Sequence, residues 1–212
     1  MRDASMPRTI RLAALISGGG TTLQNLIDRI GAGTLDATIV GVVSSRADAA
    51  GVERSRGANL PVRVVSSRSP RFADEVWSAV RGFAPDLVCF AGWLHLVPIP
   101  PDFHHRVLNI HPALLPSFGG KGMYGRRVHE AVLAAGVKVS GCTVHFADET
   151  YDTGPILVQK CVPVNDDDNP ETLAARVFEA ECEAYPEAIR LLASGKIRVE
   201  GKRALISDES GR

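Results

Sequence analysis

A repeating rhythm in the chain limits what it can fold into more than any other feature. Leu12-Ala-Ala-Leu-Ile16 is a short apolar run that stops at Ser17-Gly-Gly-Gly20, and Thr21-Thr-Leu-Gln-Asn-Leu-Ile27 follows with helical spacing. Thr38–Val43 then reads as a strand, Ala47–Arg56 as a helix and Pro61–Val65 as a short strand. Phe72, Val76, Ala79 and Val80 fall at i, i+4, i+7 and i+8, an amphipathic helix, and Asp86–Ala91 and Val107–His111 read as buried strands. Strands alternating with helices predict βαβ units on a parallel sheet with right-handed crossovers. The expected class is therefore α/β: a Rossmann-like, mostly parallel, twisted sheet with helices on both faces.

The rhythm changes after residue 137. Lys138–Phe146 and Ile156–Val164 read as strands joined only by a turn-rich loop, which predicts an antiparallel C-terminal edge. A last helix is expected from Pro170, acceptable in a first turn, to Ala193. No repeat, low-complexity tract or linker interrupts the chain. Its 212 residues are read as one domain over 11–206, with 1–10 as an N-terminal extension and 207–212 as a polar, frayed tail.

Composition excludes several classes. The 24 Lys+Arg balance 24 Asp+Glu, and a dedicated nucleic-acid binder usually shows a basic bias. No apolar run approaches the roughly 18 residues of a membrane span. The N-terminus lacks an apolar signal core, and Met6 is an alternative start. Cys89, Cys142, Cys161 and Cys182 form no C-x-x-C pair, which fits reduced, mostly buried thiols in a cytoplasm and argues against a zinc site. The neutrality is a local cancellation: Arg46–Arg71 carries +4, Ser117–His129 +3 and Asn165–Arg190 −6. Small anions can still find basic surface.

Three features carry chemistry. The glycine turn between first strand and first helix allows positive φ, and the helix start offers free N–H groups to a phosphate. It lacks the lysine of a Walker A loop. It also lacks a third dinucleotide-fingerprint glycine, where Leu23 stands, and an acid after the second strand, where Ser44-Ser45 stand. A monophosphate site and a plain tight turn capped by Thr21 or Thr22 both remain open. Second, Asn109 and His111 are two apart on a strand that Pro112 ends, so amide and imidazole share a face at the ligand-binding end of the sheet. An amide can hydrogen-bond an oxyanion, and an imidazole exchanges protons near neutral pH. Third, Asp148-Glu-Thr-Tyr-Asp152-Thr-Gly-Pro155 follows His145 in the hairpin. Taken alone it reads as a solvated turn, with His145 a structural strand residue. Leu173, Val177, Glu181, Tyr185 and Ile189 form an i+4 row in the last helix. On that ground Glu181 is either at the edge of an apolar stripe or aimed at a ligand.

Together these stretches make the chain resemble the folate-dependent phosphoribosylglycinamide formyltransferases from about Arg11 to Val199. The resemblance is carried by Ser17–Gln24, by Ala84–Val88 and Ala91-Gly-Trp-Leu94, by Asn109-Ile-His-Pro-Ala-Leu-Leu-Pro116, and by Gly141–Phe146 with Tyr151–Pro155. It implies a formyltransferase fold and formyl transfer from 10-formyltetrahydrofolate to the amine of phosphoribosylglycinamide, with no metal. It implies Asn109, His111 and Asp152, not Asp148, as the catalytic trio. Gly20, Thr21 and Thr22 would hold the acceptor's phosphate, and Phe178, Glu179, Ala180 and Glu181 would line the same substrate. Leu94, His95, Leu96 and Val97, with Asn109 and Asp148, Glu149, Thr150, Tyr151 and Asp152, would wrap the folate. A cis bond at Leu115–Pro116 is also implied.

The chain departs from the family pattern at His95, where an arginine is common. Arg68 or Arg71 would be the second folate arginine. Phe118–Arg126, with four glycines in nine residues, resembles a loop of some bacterial members and is read as a flap. The implied partners are small molecules, not nucleic acid or membrane, acting in the cytoplasm with the chain a monomer or homodimer. The alternative is a formyltetrahydrofolate deformylase or another folate-dependent formyltransferase. A deformylase would share the trio but use water as acceptor and carry an additional N-terminal domain. A methionyl-tRNA formyltransferase would carry an additional C-terminal one.

Overall fold

The computed structural model describes residues 9–207, so the expectations for the first residues and for the tail lie almost wholly outside it. The elements run β1 (Ile10–Ile16), α1 (Thr21–Gly31), β2 (Ala37–Ser44), α2 (Ala50–Gly57), β3 (Val62–Val64), α3 (Phe72–Phe83), β4 (Leu87–Phe90) and β5 (Val107–His111). Then follow α4 (Arg126–Ala134), β6 (Val139–Phe146), β7 (Ile156–Pro163), α5 (Pro170–Ala193), β8 (Ile197–Glu200) and β9 (Arg203–Ile206).

One sheet of nine strands has the order β3-β2-β1-β4-β5-β6-β7-β9-β8. The first five strands in that order are parallel, and β6 and β7 are antiparallel to their predecessors. Alternation along β1 builds both faces. Leu12, Ala14 and Ile16 pack with the buried side chains of α1 and α5, whereas Ala13 and Leu15 pack with Val76, Trp77 and Val80 of α3.

α5 explains how a proline survives in mid-helix. Asn169 caps the helix, its side chain accepting from Glu171 and Thr172 N–H at 3.0 Å each, and Thr172 Oγ1 accepts from the Asn169 N–H. Pro186 has no N–H, so the Cys182 carbonyl one turn earlier lacks its helical donor. Asn25 of α1 supplies one, its Nδ2 donating to Cys182 O at 3.2 Å. That bond ties the helix after the glycine turn to the helix carrying Glu181.

Two features go beyond the sequence reading. α4 is short and begins at Gly125 without a side-chain cap, although Val128 and Val132 mark a buried face. The C-terminal edge is longer than expected. The β8–β9 hairpin turns at Gly201 (φ 59°) and joins β7 through the parallel pair Ile156↔Arg203, so the outermost strand is β8. All four cysteines are free. Cys89 and Cys142 are buried and their thiols are pushed up to about 12 by burial, but Cys182 is half-buried and Cys161 is exposed on the outward face of β7. The expectation of mostly buried thiols thus holds for two of the four.

Candidate active site

The strand order reverses at β1, which lies between β2 and β4. Ligands of open α/β sheets bind beyond the carboxyl ends of the strands at such a point. A cavity of about 460 Å³ opens there, within the usual range for small-molecule sites.

Asn109 and His111 reach it from the end of β5, on the face opposite Ile110. Asp152 reaches it from the β6–β7 loop, where its backbone is left-handed (φ 59°). The Asp152 carboxylate accepts from the Gly120 N–H at 2.8 Å and from Asn109 Nδ2 at 3.4 Å, and lies 3.5 Å from His111 Nδ1 and 3.6 Å from His145 Nε2. Burial raises its pKa, but the two imidazoles and the Gly120 N–H outweigh it, and Asp152 is held below the usual carboxylate range. His111 is 3% exposed. Burial lowers its pKa and His145 adds to that, while Asp152 and the Phe118 carbonyl, 2.8 Å from Nε2, pull the other way; the net direction is down. Since a carbonyl only accepts, His111 carries a proton on Nε2, and a second proton on Nδ1 would face Asp152.

His145 was read from sequence as a structural strand residue. It pairs directly across the ladder from Asn109. Its Nδ1 is 2.9 Å from the Phe146 carbonyl and must donate, so that in the neutral ring Nε2 accepts from Asn109 Nδ2 at 3.1 Å. The amide is thereby oriented: both of its protons point at site partners, the longer bond running to Asp152.

The expected acceptor residues divide. Thr22 and Glu181 line the cavity; Gly20, Thr21, Phe178, Glu179 and Ala180 do not. Gly20 caps α1 in the left-handed region (φ 70°) with no side-chain cap, so neither Thr21 nor Thr22 hydroxyl closes the turn. A Cβ on Gly20 would stand 2.7 Å from Gly51 Cα, so the glycine allows α2 to pack against the turn. Arg54 of α2 braces it, Nε donating to Gly19 O at 2.9 Å. Glu181 is half-buried, and burial raises its carboxyl to about 8.

Of the expected folate residues, Leu94, His95, Leu96, Val97, Asn109, Asp148, Thr150, Tyr151 and Asp152 line the cavity, and Glu149 does not. His95 stacks edge-on against Phe72 at 5.1 Å and Trp93 at 5.3 Å, and burial lowers its pKa. Arg68 and Arg71 are both exposed and neither lines the cavity. The glycine-rich loop contributes residues 120–125, its Phe118 carbonyl and Gly120 N–H gripping His111 and Asp152. Leu115–Pro116 is cis. Among the described residues no group of three or more His, Cys, Asp or Glu could hold a metal ion, and no helix is long and apolar enough to cross a membrane.

Sequence reasoning missed the roles of His145, Phe118, Gly120 and the glycine of the Asp152 loop. A Cβ at Gly154 would overlap the Phe146 carbonyl oxygen, so that loop closes only on glycine.

Residues 10–189 match the formyl transferase family. The chain is 39% identical over 199 residues to the chloroplastic phosphoribosylglycinamide formyltransferase of Arabidopsis thaliana, covering 91% of this chain and 68% of that protein. It is 41% identical over 199 residues to the trifunctional purine biosynthetic protein adenosine-3 of Bos taurus, covering 91% of this chain but only 19% of that much longer one. Among solved structures, glycinamide ribonucleotide transformylase 1 from Symbiobacterium toebii superposes with a TM-score of 0.86 at 40% identity, covering 94% of this chain and 95% of that one.

Proposed function

The chain belongs to the formyl transferase family, and on that premise we infer that it transfers the formyl group of 10-formyltetrahydrofolate to the amine of phosphoribosylglycinamide. The products are formylglycinamide ribonucleotide and tetrahydrofolate, a step of purine biosynthesis. One observation carries the reading: Asn109, His111 and Asp152 meet in a cavity that is also lined by Thr22 and Glu181 and by residues 94–97. A transferase with two substrates needs two approaches to one reacting centre.

In this mechanism the neutral amine attacks the formyl carbon, and negative charge develops on the formyl oxygen. Asn109 Nδ2 and His111 stabilise that charge, Asn109 exchanging its long bond to Asp152 for the oxyanion. Asp152, already ionised, favours a doubly protonated His111 as the charge forms. His145 keeps the amide turned toward the reacting atoms. The proton lost by the attacking amine is matched by one gained by the departing folate nitrogen. The N-terminal turn of α1 receives the acceptor's phosphate. No metal is needed for these steps, and the partners are small molecules in the cytoplasm rather than nucleic acid or membrane.

A deformylase would use the same trio with water as acceptor. The phosphate turn and Glu181 favour the transferase, because water needs neither. The test is folate release followed by absorbance with and without phosphoribosylglycinamide. Acceptor-dependent release with formylation of the amine supports the assignment; release at the same rate without acceptor overturns it.

A further inference from the structure

We propose that Ser17 is a positioning residue that couples the two ligand sites, holding the folate-side loop in a shape set by the acceptor-side turn. The proposal rests on the assignment above, in which the turn after β1 takes the acceptor's phosphate and the loop after β4 takes the folate.

β1 and β4 pair through Leu15↔Phe90, and the Ala91 N–H still reaches Leu15 O at 2.9 Å. Beyond that point one backbone becomes the glycine turn and the other the irregular segment 91–100. Ser17 bridges the two. Its N–H donates to Gly92 O at 3.0 Å, and its Oγ accepts from the Leu94 N–H at 3.2 Å. The same Oγ is fixed by the Ser45 hydroxyl of the β2 end at 2.9 Å. Ser17 is 5% exposed, so water does not replace these bonds readily.

Few other polar contacts shape the loop. Leu96 N–H donates to the Tyr151 hydroxyl at 3.1 Å, from the loop that carries Asp152. Two alternate amides of one irregular segment are thus held by two hydroxyls, one from the acceptor side and one from the catalytic side. Between them Leu94, His95 and Leu96 project, and the Leu94 and Leu96 side chains are 45% and 46% exposed at the cavity. A tight turn alone needs no hydroxyl at its first residue, since glycine or alanine would serve. The hydroxyl is accounted for by the Leu94 amide.

The coupling is physical. An anion seated on the turn immobilises Ser17, which immobilises the Leu94 amide, so the second ligand meets a loop already ordered. Coupling of this kind is reciprocal: each ligand tightens the other by the same factor.

The first measurement uses the wild-type protein. Hydrogen exchange at the Leu94 amide should slow when phosphoribosylglycinamide alone is added. Unchanged exchange with the acceptor bound overturns the proposal.

The second measures affinity for 5,8-dideazafolate, which carries no formyl group to transfer, with and without phosphoribosylglycinamide, in the wild type, Ser17→Ala and Ser45→Ala. Losing the acceptor of the part-buried Leu94 N–H should weaken folate binding about five-fold in Ser17→Ala. It should shrink the mutual tightening toward one, leaving acceptor affinity and saturated kcat within about two-fold on the same grounds. Ser45→Ala leaves the Leu94 bond in place and should keep the mutual tightening. Wild-type coupling in Ser17→Ala, or an equal loss in folate KM, acceptor KM and kcat, overturns the proposal. Acceptor-dependent formyl transfer by the wild-type protein is scored separately. Its absence removes the functional assignment and this proposal with it, whereas its presence with no coupling removes only the proposal.

Discussion

Asp152→Asn isolates one charge. The substitution keeps the shape and leaves an amide oxygen able to accept from Gly120, but removes the negative charge 3.5 Å from His111 Nδ1 and 3.6 Å from His145 Nε2. At an effective dielectric constant of ~20, a full charge at the His111 distance is worth about 5 kcal/mol. The amide oxygen retains a neutral hydrogen bond of about 1 kcal/mol, so the transition state loses about 4 kcal/mol. That corresponds to a fall in kcat of about 10³-fold.

The pH profile should move as well. Asp152 raises the His111 pKa against burial, with His145 facing it from β6 and buried His129 coupled to it from α4. Removing the carboxylate lets burial act unopposed. His111 then takes up its proton only at lower pH, and the basic limb of kcat/KM shifts downward. The assay is steady-state formyl transfer between pH 5.5 and 9, with circular dichroism to verify the fold. A folded Asp152→Asn enzyme keeping more than a tenth of wild-type kcat, or a basic limb that moves up, would refute the reasoning.

Three further outcomes are expected. His145→Ala removes the acceptor that orients Asn109; kcat should fall about ten-fold, matching one lost hydrogen bond of about 1.4 kcal/mol, with acceptor KM unchanged in the same assay. Glu181→Gln tests the raised carboxyl. The folded protein keeps that proton up to about 8 whereas an ordinary glutamate loses it near 4.5, so wild-type stability falls as pH rises between those values. Melting curves should show Glu181→Gln gaining on the wild type across that window and holding a constant advantage above it; a gap that narrows with rising pH contradicts the burial. Gly154→Ala forces a methyl onto the Phe146 carbonyl. Overpacking of about 3 kcal/mol should lower Tm by roughly 10 °C for a chain of this size and remove activity by displacing Asp152, as measured by calorimetry and formyl transfer.

What the sequence determined by itself was local. A period of two places Asn109 and His111 on one face of a strand, and apolar runs alternating with helical spacing force a layered sheet. Glycines between β1 and α1 mark a tight, approachable turn. The first-turn proline of α5 placed its start at residue 170, where the structure has it. α4 and the β8–β9 hairpin carried equivalent signals, in Val128 with Val132 and in the alternation of residues 197–200, but short elements beside glycine-rich segments have little periodicity to count.

What only the tertiary structure decided depends on register and loop closure. His145 looks like any strand histidine until the β5–β6 ladder sets it opposite Asn109. Asp152 and Gly120 are 32 residues apart and meet because two loops close over the same strand ends. Glu181 could have been an edge residue, until α5, tied to α1 through Asn25 and the carbonyl freed by Pro186, turned it toward the cavity. Ser17 reads as the first residue of a turn, and its hydroxyl acquires a partner only because the strand order puts β4 beside β1. Side-chain periodicity is a property of neighbours along the chain and can be counted in the sequence. A catalytic constellation depends on distances between segments, and those are fixed only when the sheet order, the ladder register and the loop ends are fixed together.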